Sequence, residues 1–145
     1  MQDHKHGTIA VIKPCNEDAG KIYKWCNENN IPCIDRDQLH CTVLFSSAPV
    51  EHLTKHHNKK IAVNSKIIGW KKLGNALTLG LEAPTAHKIH KYMINQGGKH
   101  DYPDFIAHTS VCYKWLQQEC PAVVPNFPIL FDKLEIKPID PNYGN

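Results

Sequence analysis

Residues 8–12, "TIAVI", are apolar and β-branched, and Pro14 stops the run, so the pattern predicts a strand. The period then changes. Asn16 followed by Glu17 and Asp18 predicts a helix start, with a capping side chain and two acids in the first turn. Ile22, Trp25 and Cys26 fall on one face of that helix, which ends near Asn29-Asn30. "LHCTVLF" (39–45) predicts a second strand, and "PVEHLTKHHN" a short helix from Pro49. Two strands, 60–73 and 75–83, follow around a turn at Gly74-Asn75. A helix over 84–96 has Pro84 near its start and Gly97-Gly98 as its C-cap. The polar loop "KHDYPD" leads to a strand at 105–113, residues 116–128 with their three prolines are irregular, and "ILFDKLEIKPI" is a last strand.

The order strand–helix–strand therefore occurs twice, at 8–12, 16–29 and 39–45, and again at 76–81, 84–96 and 105–113. A shift of 68 residues lays Ile9 and Val11 on Leu77 and Leu79, Val43 on Val111, and Phe45 on Tyr113. It also lays His40 on His108 and Thr42 on Ser110. This predicts an α+β fold of two pseudo-symmetric lobes, with antiparallel sheets flanking a central cleft and one strand of each lobe lining it. A chain of 145 residues suits one bilobal domain over 1–145.

His-x-Ser/Thr is a weak signal by itself. Ten histidines and ten hydroxyl residues predict roughly 0.7 such tripeptides by composition, and the chain has four. His6 lies near the N-terminus and His52 beside Lys55, His56 and His57, where solvated side chains are expected. His40 and His108 differ because each opens an apolar strand at the matching place in a repeat. Positions i and i+2 of a strand share a face, so each histidine points the same way as its hydroxyl partner. The plainer alternative is a core histidine satisfied by that hydroxyl.

Two imidazoles in one cleft suit phosphodiester cleavage. Each titrates near neutrality, at about pH 6.5, so one can take a proton from the nucleophile while the other protonates the leaving oxygen. The hydroxyls of Thr42 and Ser110 would hold the non-bridging oxygens, where charge develops. The pairs His52/His56 and His87/His90 lack a third ligand at suitable spacing, so no metal and no cofactor is expected.

Net charge and composition narrow the partners. A charge of +3 fits a phosphate-bearing ligand and falls short of the basic stripe of a duplex-DNA binder. No apolar run is long enough to span a membrane, and "MQDHKHG" does not open a secretory signal, so a cytoplasmic setting is expected. The six cysteines form no C-x-x-C pair and read as reduced thiols.

With "HCTV" at 40–43 and "HTSV" at 108–111, the chain resembles the 2H phosphoesterase superfamily, marked by two H-x-[ST]-hydrophobic motifs on pseudo-symmetric lobes. The short length and "DYPDFIAHTSVCY" are most similar to the phage anti-CBASS phosphodiesterases, which degrade the cyclic di- and trinucleotide messengers of a bacterial antiphage system. That resemblance implies metal-independent hydrolysis of such a substrate in the host cytoplasm, with His40 and His108 as the acid–base pair and Thr42 and Ser110 as phosphate holders. It also implies that Trp70, flanked by Gly69, Lys71 and Lys72, stacks on a base. Glu135 in "DKLEIK" is a candidate acceptor for base N–H groups, Lys13 a candidate phosphate contact, and Tyr102 a candidate cleft wall. Two departures stand out, Ser110 in place of the commoner threonine and the polar Thr109 where a hydrophobe is usual. An RNA 2′,3′-cyclic or 2′,5′-phosphodiesterase and a non-catalytic nucleotide-binding module remain as alternatives. Oligomeric state is not readable from the chain.

Overall fold

The computed structural model describes residues 4–101 and 104–140, so Tyr102 lies outside the described residues. Its strands are β1 (Thr8–Pro14), β2 (Cys41–Ser46), β3 (Lys59–Leu73), β4 (Ala76–Glu82), β5 (His108–Cys112) and β6 (Ile129–Pro138), with helices α1 (Asn16–Glu28) and α2 (Pro84–Asn95). The strands form one sheet in the order β2-β1-β6-β3-β4-β5, and every pairing is antiparallel. The long β3 serves both halves, pairing with β6 through residues 59–65 and with β4 through residues 66–73. Strands β2 and β5 stand at opposite ends of this order and yet touch, so the sheet curls until its two ends meet.

The repeat is physical as well as textual. Strands β1 and β4 and the starts of α1 and α2 are each separated by 68 residues. Both helices end in the same backbone motif. Asn30 adopts the left-handed conformation after α1, with Ile31 N–H bonded to the Cys26 carbonyl and Asn30 N–H to that of Asn27. Gly97 does so after α2, with Gly98 N–H bonded to Met93 and Gly97 N–H to Ile94. Leu44 and Ala10 are paired across β1 and β2, both fully buried, in a core that spans both halves.

Several local expectations are revised. The cap of α1 is Cys15, with no side-chain cap bond. The chain passes from strand to helix with no room for Asn16 outside it, because Cys15 N–H still donates to the Leu130 carbonyl of β6. Asp18 then accepts from Leu130 N–H at 2.8 Å and ties the first turn of α1 to the sheet. The segment after Pro49 is a 3₁₀ helix, Glu51–His56, in which the Thr54 hydroxyl donates to the Glu51 carbonyl. The two histidine strands begin later than their apolar pattern, at Cys41 and His108.

Each of these strands carries one extra residue. Ala10 pairs with Leu44 and Val11 with Thr42, leaving Val43 over; Leu77 pairs with Cys112 and Thr78 with Ser110, leaving Val111 over. The two bulges are 68 residues apart, and a group from the other half holds each one. His90 of α2 donates from Nδ1 to the Val43 carbonyl at 2.7 Å, its ring stacked on Phe105 at 4.4 Å. The Ile34 amide donates to the Val111 carbonyl at 2.8 Å.

Two stability predictions follow from this arrangement. His90→Phe keeps a ring on Phe105 but strands the Val43 carbonyl, so urea unfolding should show a loss of about 1–3 kcal/mol. Thr109 is fully buried opposite Leu79, and among the described residues its hydroxyl has no partner. Thr109→Val removes that group and should raise stability by about 1 kcal/mol in the same measurement.

Candidate active site

His40 and His108 are held in the same way. His40 Nδ1 lies 2.8 Å from the Gln38 carbonyl and His108 Nδ1 lies 2.7 Å from the Ile106 carbonyl, two residues back in each case. A carbonyl only accepts, so each Nδ1 carries a proton. That leaves Nε2 of each ring as its other nitrogen, a lone pair when the ring is neutral and a donor when it is charged. The plainer reading, a histidine satisfied by the hydroxyl two residues on, does not describe either pair. Among the described residues neither the Thr42 nor the Ser110 hydroxyl has a hydrogen-bond partner, and both side chains are half-buried.

The two motifs meet where the ends of the sheet touch. The Cys41 thiol sits against the His108 backbone, and burial pushes its pKa up to about 12. Burial also holds the pKa of His40 below the usual histidine value, aided by the positive charges of Lys137, Lys13 and His108, while the Gln38 carbonyl works in the opposite sense. His40 is thus favoured as a neutral ring, and His108 is close enough for its charge to be felt there.

A cavity of about 840 Å³ opens beside His40. The first half contributes Ile9, Val11 and Lys13 from β1 and Glu135 and Lys137 from β6. Cross-strand pairing of Val11 with Glu135 and of Ile9 with Lys137 puts these on one face of the sheet. The second half contributes Leu73, Asn75, Ala76, Tyr113 and Lys114. Its size is in the range of pockets that enclose small organic ligands. Three lysines give it a cationic lining suited to phosphate, and Glu135 and Asp37 add carboxylates. Among the described residues no three His, Cys, Asp or Glu side chains gather as a metal site.

The sequence-derived candidates separate here. His40, Glu135 and Lys13 line the cavity; Thr42 lies across from the lining residue Val11, and Ser110 across from Thr78. His108 is not part of the lining, and neither is Trp70. Trp70 pairs with the buried Leu79, its ring is 6.1 Å from that of Trp25 and tilted by 43°, and its N–H donates to the Val123 carbonyl at 2.7 Å. The expected free stacking surface is therefore occupied by packing, because the indole lies on the side of β3 that faces the core. Trp115 is buried.

Sequence reasoning did not single out Tyr113, Lys114, Lys137 or Asn75. Strict alternation from His108 and Ser110 would place Tyr113 on the opposite face. The bulge at Val111 reverses the parity, and only its match to Phe45 in the repeat hinted at a shared role.

Comparison with known proteins accords with this geometry. The crystal structure of E. coli LigT complexed with NADP+ matches with a TM-score of 0.62 at 14% identity, over 90% of this chain and 86% of that one, and so shares the fold. The anti-CBASS protein Acb1 of Vibrio phage KVP40 is 28% identical over 82 residues, which are 55% of this chain. The match spans 54%, about half, of that relative's length. The family model described as anti-CBASS protein Acb1 matches residues 6–145. The chain belongs to the anti-CBASS Acb1 family.

Proposed function

We propose that this protein is a phosphodiesterase that opens cyclic di- or trinucleotides with His40 and His108 as its acid–base pair, and so counters CBASS immunity in the host cytoplasm. The observation that carries the reading is the matched locking of the two imidazoles, each with Nδ1 on a carbonyl two residues back and Nε2 left for chemistry. Family membership and the LigT-like fold support it. In this reading His40, favoured as neutral by burial and by Lys137 and Lys13, takes the proton of the attacking water or ribose hydroxyl. His108, protonated, delivers its Nε2 proton to the departing 5′-oxygen. Thr42 and Ser110 donate hydrogen bonds to the non-bridging oxygens, while Lys13, Lys114 and Lys137 draw in the phosphates and Glu135 accepts from a base. Pure binding would not require two titratable rings with matched, free Nε2 atoms.

The reading makes two predictions. His40→Ala and His108→Ala should each lower kcat/KM on cyclic GMP-AMP by about a hundred- to ten-thousand-fold, with the circular dichroism spectrum intact and wild-type activity retained in EDTA. A wild-type protein that leaves cyclic dinucleotides untouched but cleaves RNA 2′,3′-cyclic phosphates would move the substrate to the alternative class.

The pH profile supplies the second. Protonating His40 removes the base, so activity should fall with acid through a pKa below the ordinary histidine value. Lys137→Met removes a positive neighbour, eases protonation, and should move the acid limb of kcat/KM to higher pH. A limb that stays in place or moves down would take Lys137 out of this role.

A further inference from the structure

We propose that the second half of the cavity is a nucleobase slot, with Tyr113 as its stacking face, Leu73 as the opposite wall and Ala76 as the floor. The inference rests on the phosphodiesterase reading for its substrate class and on geometry for its position. Leu73 pairs with Ala76 across β3 and β4, and Leu77 pairs with Cys112 across β4 and β5, so Tyr113 comes beside Ala76. Leu73, Ala76 and Tyr113 all line the cavity. The bulge at Val111 delivers the ring there, and the Trp115 amide, donating to the Asn75 carbonyl at 2.8 Å, fixes the chain just after it.

The matching row in the first half is filled. There Ile9 sits between Phe45 and Lys137, and Ile9 is only 3% exposed. The pairing registers put Ala76, not the Leu77 that the 68-residue shift lays on Ile9, at the middle of the second row, which removes three carbons there. Tyr113 accordingly stays 49% exposed, a large ring left bare within a concave surface. An aromatic face over a small residue, with an aliphatic wall opposite, is the shape of a planar heterocycle. Asn75 brings an amide to the rim, and Lys114 a charge for the attached phosphate.

The test uses the full chain and two readouts. For cyclic GMP-AMP hydrolysis, Tyr113→Ala and Ala76→Ile should each raise KM about ten-fold or more, while kcat falls far less. Tyr113→Phe, which keeps the ring, should recover most of the loss. A cyclic dinucleotide carrying 2-aminopurine should lose fluorescence on binding the wild type, through stacking, and keep it with Ala76→Ile. An unchanged KM in both variants overturns the slot while leaving the phosphodiesterase reading standing. If the wild type hydrolyses no cyclic dinucleotide, that reading fails, and the quenching alone decides the slot: quenching abolished by Ala76→Ile supports it, and no quenching in the wild type overturns it.

Discussion

The extra residue at Val43, and its counterpart at Val111, is the constraint on which most of this molecule depends. A β-bulge leaves one residue out of the ladder and must find its polar groups another partner. Here each spare carbonyl is taken by the opposite half, Val43 by His90 of α2 and Val111 by the Ile34 amide that follows α1. Pulling the halves apart would orphan both carbonyls in an apolar interior. The seam that brings β2 against β5 is therefore fixed by two directional bonds as well as by packing. Catalysis by two imidazoles needs such fixity, because small displacements of either ring from the reacting phosphate cost large factors in rate.

The bulges also arrange the chemistry along each strand. Before the bulge, Thr42 and Ser110 lie opposite Val11 and Thr78; after it, Leu44 and Cys112 turn to Ala10 and Leu77, and the next residues, Phe45 and Tyr113, return to the other face. A regular strand would have sent those two aromatics away from the histidines. One inserted residue per strand thus places a histidine, a hydroxyl and an aromatic ring on the same side within six residues.

This explains what the sequence made legible. The repeat, the strand and helix types and the pairing of His40 with His108 follow from periodicity and from the 68-residue offset, although the pairing registers put Thr78 rather than Leu79 in the place of Val11. Tyr113 was hidden because alternation is a parity argument, and a bulge reverses parity without changing composition. Trp70 was misplaced for a related reason. Its lysine neighbours suggested a ligand face, whereas its register opposite Leu79 turns the indole toward Trp25. The polar Thr109 was visible as an oddity, but only burial shows that its hydroxyl goes unpaired. The capping of α1 depended on Leu130, more than a hundred residues away, which no local reading includes.

Duplication supplies two of everything, but acid–base catalysis needs two histidines in different protonation states. The backbone gives them the same lock, so any difference has to come from what surrounds them. In the first half, the row beside Phe45 carries Ile9 and Lys137, with Glu135 and Lys13 next to it. In the second half, the corresponding row is Tyr113, Ala76 and Leu73, uncharged and hollow at its centre. Burial, aided by the positive charges of Lys137 and Lys13, favours the neutral form of His40, while the second row leaves space at its centre. The nearly symmetric scaffold thus carries two unlike rows, one bearing charge and one apolar, with Lys114 lining the cavity beside the second. A cyclic dinucleotide has a near-twofold axis of its own. Its two phosphates can be told apart only by a cleft that is not symmetric, and the two rows that line this cleft are unlike.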